Sequence, residues 1–386
     1  MSDPLAVART RRLDEAVAQR RVLVCTGAGG VGKTTTAAAL ALQAARLGRR
    51  TIVLTIDPAR RLAQSLGLET LDNTPRAVTA PGVPPGGLDA MMLDMKRTFD
   101  EVVERTAGDA NRVQRIMANR FYQQLTETLA GTQEYMAMEK LADLHATRGY
   151  DLIVIDTPPT RNALDFLDAP NRLTDFLEGR FLKMFLRPGF SAGKAVGRAV
   201  GIGTGLFMKA ASRLTGAQVL DDLADFFQSF EGMYEGFKSR AQQVYRLLQS
   251  PQSAFVVVAS PEPAALREAR YFLQRLAQEG MPTAGLVVNR MSMPPLVLEA
   301  LDPEAAAAAA AKLARGKADE RTVAVLLGLH AQRRDSARRE QRAISAALHG
   351  VDPHALIEVP LLPTDVHDAA ALLRLGEWMV GDPARA

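Results

Sequence analysis

Six short runs of this chain are largely apolar at consecutive positions instead of alternate ones. They are residues 21–26, 51–56, 152–155, 254–258, 285–289 and 356–359. A strand that is apolar on both sets of alternate positions is buried on both faces, as in a parallel sheet covered by helices. Each run is followed by a loop and then by apolar positions at three- and four-residue spacing, the helical period. Strand and helix therefore alternate, which predicts an α/β fold with a doubly wound, mostly parallel sheet whose ligand lies beyond the carboxyl ends of the strands.

Two connections are much longer than a crossover requires: Ile56 to Leu152, and Asp156 to Ala254. Both surpluses carry helical patterns, over Met95–Leu144 and Val219–Leu248, so the reading is a helical subdomain inserted in two pieces. The chain is then one domain over 1–386, with a core of 20–90, 150–165 and 251–375 and an inserted part of 91–149 and 166–250. Within the insert, Leu186–Gly216 mixes seven glycines with Phe190, Val200, Ile202, Leu206 and Phe207 and with the cations Lys194, Arg198, Lys209 and Arg213. Such glycine density opposes a rigid helix. The segment reads either as a flap contacting a hydrophobic client or a membrane surface, or as loosely packed helices with small residues at close contacts. Ala305–Ala311 reads as a surface helix, Leu372–Trp378 as a final packing helix, and Gly381–Ala386 as a frayed tail.

Composition narrows the classes. In 386 residues, 47 Lys and Arg against 43 Asp and Glu give a net charge of +4 with no basic block, so nucleic acid is not an expected partner. The single cysteine, Cys25, excludes an intrachain disulfide and a cysteine-based metal site, and its place in an apolar run suits a small buried hydrophobe. No opening leader and no run of about 18 apolar residues is evident, so a cytoplasmic protein is expected.

The chemistry begins where the first strand ends. Gly27-Ala28-Gly29-Gly30-Val31-Gly32-Lys33-Thr34 is a complete G-x-x-x-x-G-K-[ST] phosphate loop, and Thr35 continues into an alanine-rich helical stretch. The glycines let consecutive backbone N–H groups turn toward phosphate oxygens, and the helix N-terminus adds partial positive charge at the same point. Lys33 is expected to reach the β- and γ-phosphates and Thr34 to ligate Mg2+. Asp156 ends an apolar run, where the magnesium shell of a phosphate-loop ATPase needs a carboxylate. Asp57, in Thr55-Ile56-Asp57-Pro58-Ala59, ends another; it is placed to orient an attacking water, or else it starts an Asp-Pro turn. The Asn289 amide offers a paired donor and acceptor to an adenine edge.

In combination, the phosphate loop, Asp57-Pro58-Ala59, Asp156-Thr157-Pro158-Pro159-Thr160, Val288-Asn289-Arg290 and Val359-Pro360-Leu361-Leu362-Pro363 resemble the ArsA-type ATPases. That family holds the arsenite-pump ATPase and the tail-anchored-protein targeting ATPase, within the wider group of MinD and ParA. The resemblance covers residues 20 to about 375. It implies an ATP-hydrolysing, Mg2+-dependent dimer with nucleotides facing each other across the interface. It also implies that Asp57 activates water, that Asp156–Leu164 is the second switch, that Asn289 reads adenine, and that Pro360, Leu361 and Pro363 pack against the base. Gly131–Leu141, with Glu134 and Glu139, resembles the segment linking nucleotide to helical subdomain, which in the targeting branch forms a hydrophobic client groove.

The departures from that pattern are specific. The family's signature lysine, which crosses the dimer to the partner's phosphates, would fall at Ala28. Thr160-Arg161-Asn162 replaces the usual Thr-Gly-His, so Arg161 is a candidate arginine finger, against the alternative of a solvated switch residue. The paired cysteines that join the targeting homodimer through zinc, and the arsenite-binding cysteines, are absent. The leading expectation is a chaperone-like ATP/ADP switch, homodimeric or paired with a lysine-bearing subunit. The alternatives are an ATP-binding scaffold with little hydrolysis, and a positioning ATPase of the MinD or ParA kind.

Overall fold

The computed structural model describes residues 13–57, 61–119, 122–123, 132–147, 149–158, 234–292, 320–349, 355–362 and 364–381. Its centre is an eight-stranded sheet built from β1 (Val22–Gly27), β2 (Thr51–Thr55), β3 (Arg76–Ala77), β4 (Leu88–Met92), β5 (Leu152–Asp156), β6 (Ser253–Ala259), β7 (Thr283–Met291) and β8 (Leu356–Pro360). The order across the sheet is β3-β4-β2-β5-β1-β6-β7-β8. Every pairing is parallel except β3 with β4. The six apolar runs are thus strands, and the α/β expectation holds. The β3–β4 pair was not foreseen.

Burial on both faces explains the consecutive apolar positions. In β1, Val22 and Val24 enter the core on one face, while Leu23 and Cys25 enter the core on the other. The Cys25 thiol is fully buried, and burial raises its pKa far above the usual range. It serves as a small apolar group.

Helix α1 (Lys33–Arg46) lies in the second core, and its alanines explain how: Ala37, Ala38, Ala39, Ala41, Ala44 and Ala45 are all fully buried. Small side chains let a helix be buried around nearly its whole circumference. Against it lies the last helix, α9 (Ala369–Val380), capped by the Asp368 carboxylate, which accepts the Ala371 N–H at 2.6 Å. The two helices come so close at Gly376 that an added Cβ would sit 2.4 Å from Gln43 Cγ. Buried Gln43 donates to the Leu373 carbonyl at 2.9 Å. The segment read as a final packing helix is one.

Between these come α2 (Arg61–Ser65), α3 (Met95–Thr106), α4 (Ala110–Ala118), α5 (Thr132–Ala146), α6 (Tyr234–Gln249), α7 (Pro263–Gln278) and α8 (Glu320–Ala347). Helices α3, α4 and α5 occupy the first surplus stretch of chain and α6 the end of the second. Residues 186–216, Ala305–Ala311 and 382–386 lie outside the described residues. Among the described residues, no helix is long and apolar enough to cross a membrane.

Helix α5 ties this layer together through charge. Glu139, 1% exposed, accepts from Tyr135 Oη and from Arg240 Nε of α6 at 2.8 Å, and lies 3.6 Å from Arg105 of α3. Arg105 also pairs with Asp143. Burial pushes the Glu139 carboxyl above its ordinary range, against the pull of Arg240 and Arg105. Arg240→Met removes a charge-assisted bond from a buried carboxylate that keeps Tyr135 and Arg105, so it is expected to lower stability by about 1.5–3 kcal/mol. Urea denaturation checks this, and a change within about 0.5 kcal/mol, the scale of ordinary surface substitutions, would show that the cluster is not structurally important.

Candidate nucleotide site

The phosphate loop occupies the turn from β1 into α1, at the carboxyl end of the sheet. Three of its glycines take backbone angles that a side chain opposes: Gly27 at φ 151°, Gly30 at φ 76° and Gly32 at φ 100°. Space adds a second demand at two of them. A Cβ on Gly27 would lie 2.0 Å from the Val258 carbonyl oxygen, and one on Gly32 2.3 Å from Asn289 Nδ2. A Cβ on Gly30, by contrast, would meet nothing within 4 Å, so that glycine faces open space. Gly32 is the N-cap of α1 and supplies no side-chain oxygen to the first-turn N–H groups. Those donors, including the backbone of Lys33, Thr34 and Thr35, are the ones an anion would satisfy.

Lys33 is 6% exposed and donates to the Ala28 carbonyl at 2.8 Å. Burial lowers the Lys33 pKa from its ordinary value, while the charges of Asp156 and Asp57 oppose that shift. A buried ammonium held by one neutral carbonyl is poorly compensated. It suits an anionic ligand.

Asp156 closes the site from β5. Its Oδ2 accepts from Thr34 Oγ1 at 2.7 Å and from Thr55 Oγ1 at 2.9 Å, which joins α1, β2 and β5 at one atom. Its Oδ1 is buried and has no hydrogen-bond partner. Burial drives the carboxyl up to about 6, against the hydrogen bonds from Thr34 and Thr55 and the charge of Lys33. An unpartnered buried carboxylate oxygen beside a threonine hydroxyl offers the oxygen ligands that a hard divalent cation takes.

Asp57, half-buried, directly follows β2 and Ile56; its N–H reaches Thr55 Oγ1 at 3.3 Å. The Ile56 N–H donates to the Asp156 carbonyl at 3.0 Å, and the Ile56 carbonyl accepts from Gln133 Nε2 of α5 at 2.8 Å. Next to Gln133, Glu134 is buried with its Oε2 unpartnered. Thr157, after Asp156, is fixed by its hydroxyl to the Cys25 carbonyl at 2.8 Å. Thr55 was missed from sequence as a site residue, while Thr157 and Gln133 were covered only as members of the segments Asp156–Leu164 and Gly131–Leu141. The only signal for Thr55 was a hydroxyl at the last position of an otherwise apolar strand.

Asn289 touches the loop. Its Nδ2 donates to the Val31 carbonyl at 3.0 Å, and its Oδ1 accepts the Arg290 N–H at 2.9 Å. One amide hydrogen and one acceptor lone pair are left over from that arrangement. Pro360 ends β8, and Leu361 beyond it is 63% exposed, with its N–H on the Met291 carbonyl at 2.8 Å. The loop residues, Asp57, Asp156, Asn289, Pro360 and Leu361 therefore share the carboxyl end of the sheet. Arg161 and Pro363 lie outside the described residues.

The Asp156 environment makes a pH prediction. A carboxyl raised from 3.8 to about 6 in the folded chain binds more protons folded than unfolded across that interval. The stability it contributes is present below about pH 4 and lost as pH rises through about 6. The loss amounts to about 3 kcal/mol. Asp156→Asn keeps an acceptor for Thr34 and Thr55 but does not titrate. Urea midpoints of the nucleotide-free protein are expected to fall less steeply for Asp156→Asn than for wild type between acid and neutral pH. Identical pH profiles would remove the inferred strain at Asp156.

Comparison with known proteins agrees with this geometry. The family model of the ArsA-type, anion-transporting ATPases matches residues 20–301. The chain is 28% identical over 273 residues to an ATPase GET3 of Malassezia globosa, covering 71% of this chain and 73% of that protein. It is 30% identical over 275 residues to an uncharacterised protein of Streptomyces coelicolor, covering 70% and 62% of the two chains. A putative arsenical pump-driving ATPase 1 of Aquifex aeolicus is 24% identical over 284 residues, covering 70% and 63%. The matches thus span less than two thirds of the last two proteins.

Proposed function

We propose, for a chain that belongs to the ArsA-type ATPase family and is a P-loop ATPase, that it hydrolyses ATP with Mg2+ as a dimeric switch. In this reading the nucleotide state sets a helical surface that binds a client or a partner. The observation that carries it is the Thr34–Asp156–Thr55 cluster with its unpartnered carboxylate oxygen at the foot of the phosphate loop.

The backbone of Gly27, Gly29, Gly30, Val31, Gly32 and Thr35 would hold the phosphates, and Lys33 would exchange the Ala28 carbonyl for phosphate oxygens. Thr34 and Asp156 would hold Mg2+, which when bound supplies charge neutralisation across the phosphates. Asp57 orients the attacking water and accepts its proton. Asn289 offers its spare donor and acceptor to adenine, with Pro360, Leu361 and Pro363 along the base.

Coupling would run through α5. Its first turn touches the main chain beside Asp57 through Gln133, and its middle turns bind α3 and α6 through Glu139. A displacement at Ile56 would be felt by both helices, since a buried ionic cluster resists shear. Inserted segments 91–149 and 166–250 are the proposed client or partner surface, in a cytoplasmic setting.

Ala28 presents only a methyl group where the signature lysine would lie. A cation from Arg161, or a lysine from a related partner subunit, would complete the site. The same residue favours a second reading, an ATP-binding regulator that barely hydrolyses. Single-turnover hydrolysis separates the two. Asp57→Asn is expected to slow the chemical step by about 10²–10⁴-fold while ATP still binds. Rates equal to wild type would favour the regulator. For the missing cation, Ala28→Lys is expected to raise the rate of the chain alone, and mixing with a lysine-bearing homologue to do the same for wild type. Full activity alone, unchanged by Arg161→Ala, would remove both sources.

A further inference from the structure

Strands β7 and β8 leave the sheet side by side, and the two segments assigned above to the base sit on them, Asn289 near the end of β7 and Leu361 just past β8. Their pairing breaks register between Val288 and Met291. In that break Arg290 has φ 62°, the single non-glycine with positive φ among the described residues. A left-handed residue in a strand is unfavourable unless the surroundings hold it. The chain beyond the kink is held from two sides. One is the Leu361 N–H on the Met291 carbonyl.

The other is helix α8. Glu340 accepts the Ser292 N–H on Oε2 and the Ser292 hydroxyl on Oε1, both at 2.7 Å. The next residue, Gln341, donates to Glu358 Oε1 on β8 at 3.0 Å, and the Glu358 carbonyl accepts from Trp378 Nε1 at 2.8 Å. Adjacent residues of one helix therefore grip the two strands separately, and Ala337, Ile344 and nearby Leu348 anchor that part of α8 by burial. Hydrogen bonds to an ionised carboxylate are roughly twice as strong as neutral ones, and two of them converge on one residue here.

We propose that Glu340 is a positioning residue for base recognition. By fixing Ser292 it holds the kink at Arg290, and with it the direction of the Asn289 amide and its separation from Leu361, so the preference of the site for adenine depends on α8. The inference rests on the reading that the base lies at Asn289. Glu340 itself would touch no part of the nucleotide.

The test measures binding of ATP and GTP, by displacement of a fluorescent nucleotide, and kcat, for wild type, Asn289→Ala, Glu340→Ala and the double variant. Glu340→Ala is expected to lower the ATP-over-GTP preference by about tenfold with kcat little changed. In the Asn289→Ala background it is expected to lower it no further. Equal losses for ATP and GTP, an unchanged preference, or additivity with Asn289→Ala would overturn the positioning role. If Asn289→Ala leaves the preference untouched, the base reading fails and the proposal fails with it. Should Glu340→Ala not fold, Ser292→Ala, which deletes one of the two bonds, is expected to shift the preference in the same direction by a smaller factor; no shift there overturns the proposal.

Discussion

Asp156 is an acid buried where the sheet meets the phosphate loop, and its need for compensation organises the site. With no exposure to solvent, its carboxylate draws on hydroxyls from two different elements, Thr34 at the start of α1 and Thr55 at the end of β2. The order β2-β5-β1 is what makes that convergence possible, since it puts the strand carrying the acid between the strand carrying one hydroxyl and the strand leading to the other. The compensation is incomplete by one oxygen, and burial raises the carboxyl to about 6 in spite of it. The nucleotide-free fold is thus destabilised at the point where a cation would bind. Binding energy spent there stabilises the fold as well as the complex.

Two helices extend the influence of the site in opposite directions along the sheet. Helix α5 meets the chain beside Asp57, after β2, and carries a buried ionic cluster into the helical layer. Helix α8 meets the ends of β7 and β8, on the other side of the phosphate loop, through Glu340 and Gln341.

What the sequence revealed follows from the strength of the local constraint. The phosphate loop was legible because left-handed backbone and lack of space at Gly27 and Gly32 exclude other residues, and Asp156 because an acid closing an apolar run is conspicuous. The strands were legible because double-sided burial leaves no polar alternation. The β3–β4 pair escaped because Arg76–Ala77 is exposed and two residues long, and Leu88–Met92 carries an aspartate that bonds Tyr150. The contacts of Thr55, Gln133 and Glu340 escaped for a different reason. Their partners are 101, 77 and 48 residues away, and no local pattern encodes a tertiary hydrogen bond. The inserted helices were legible from their apolar spacing, whereas the glycine-rich stretch was legible only as composition and Arg161 only by resemblance.

The contact between Lys33 and residue 28 has a further consequence for how such chains diversify. Lys33 bonds the main-chain carbonyl of Ala28, an atom that every amino acid possesses, so that hydrogen bond does not itself depend on the side chain, which packs half-buried against the core. Variation at residue 28 is therefore limited by the packing of its side chain against the core and not by the bond that Lys33 makes to its carbonyl.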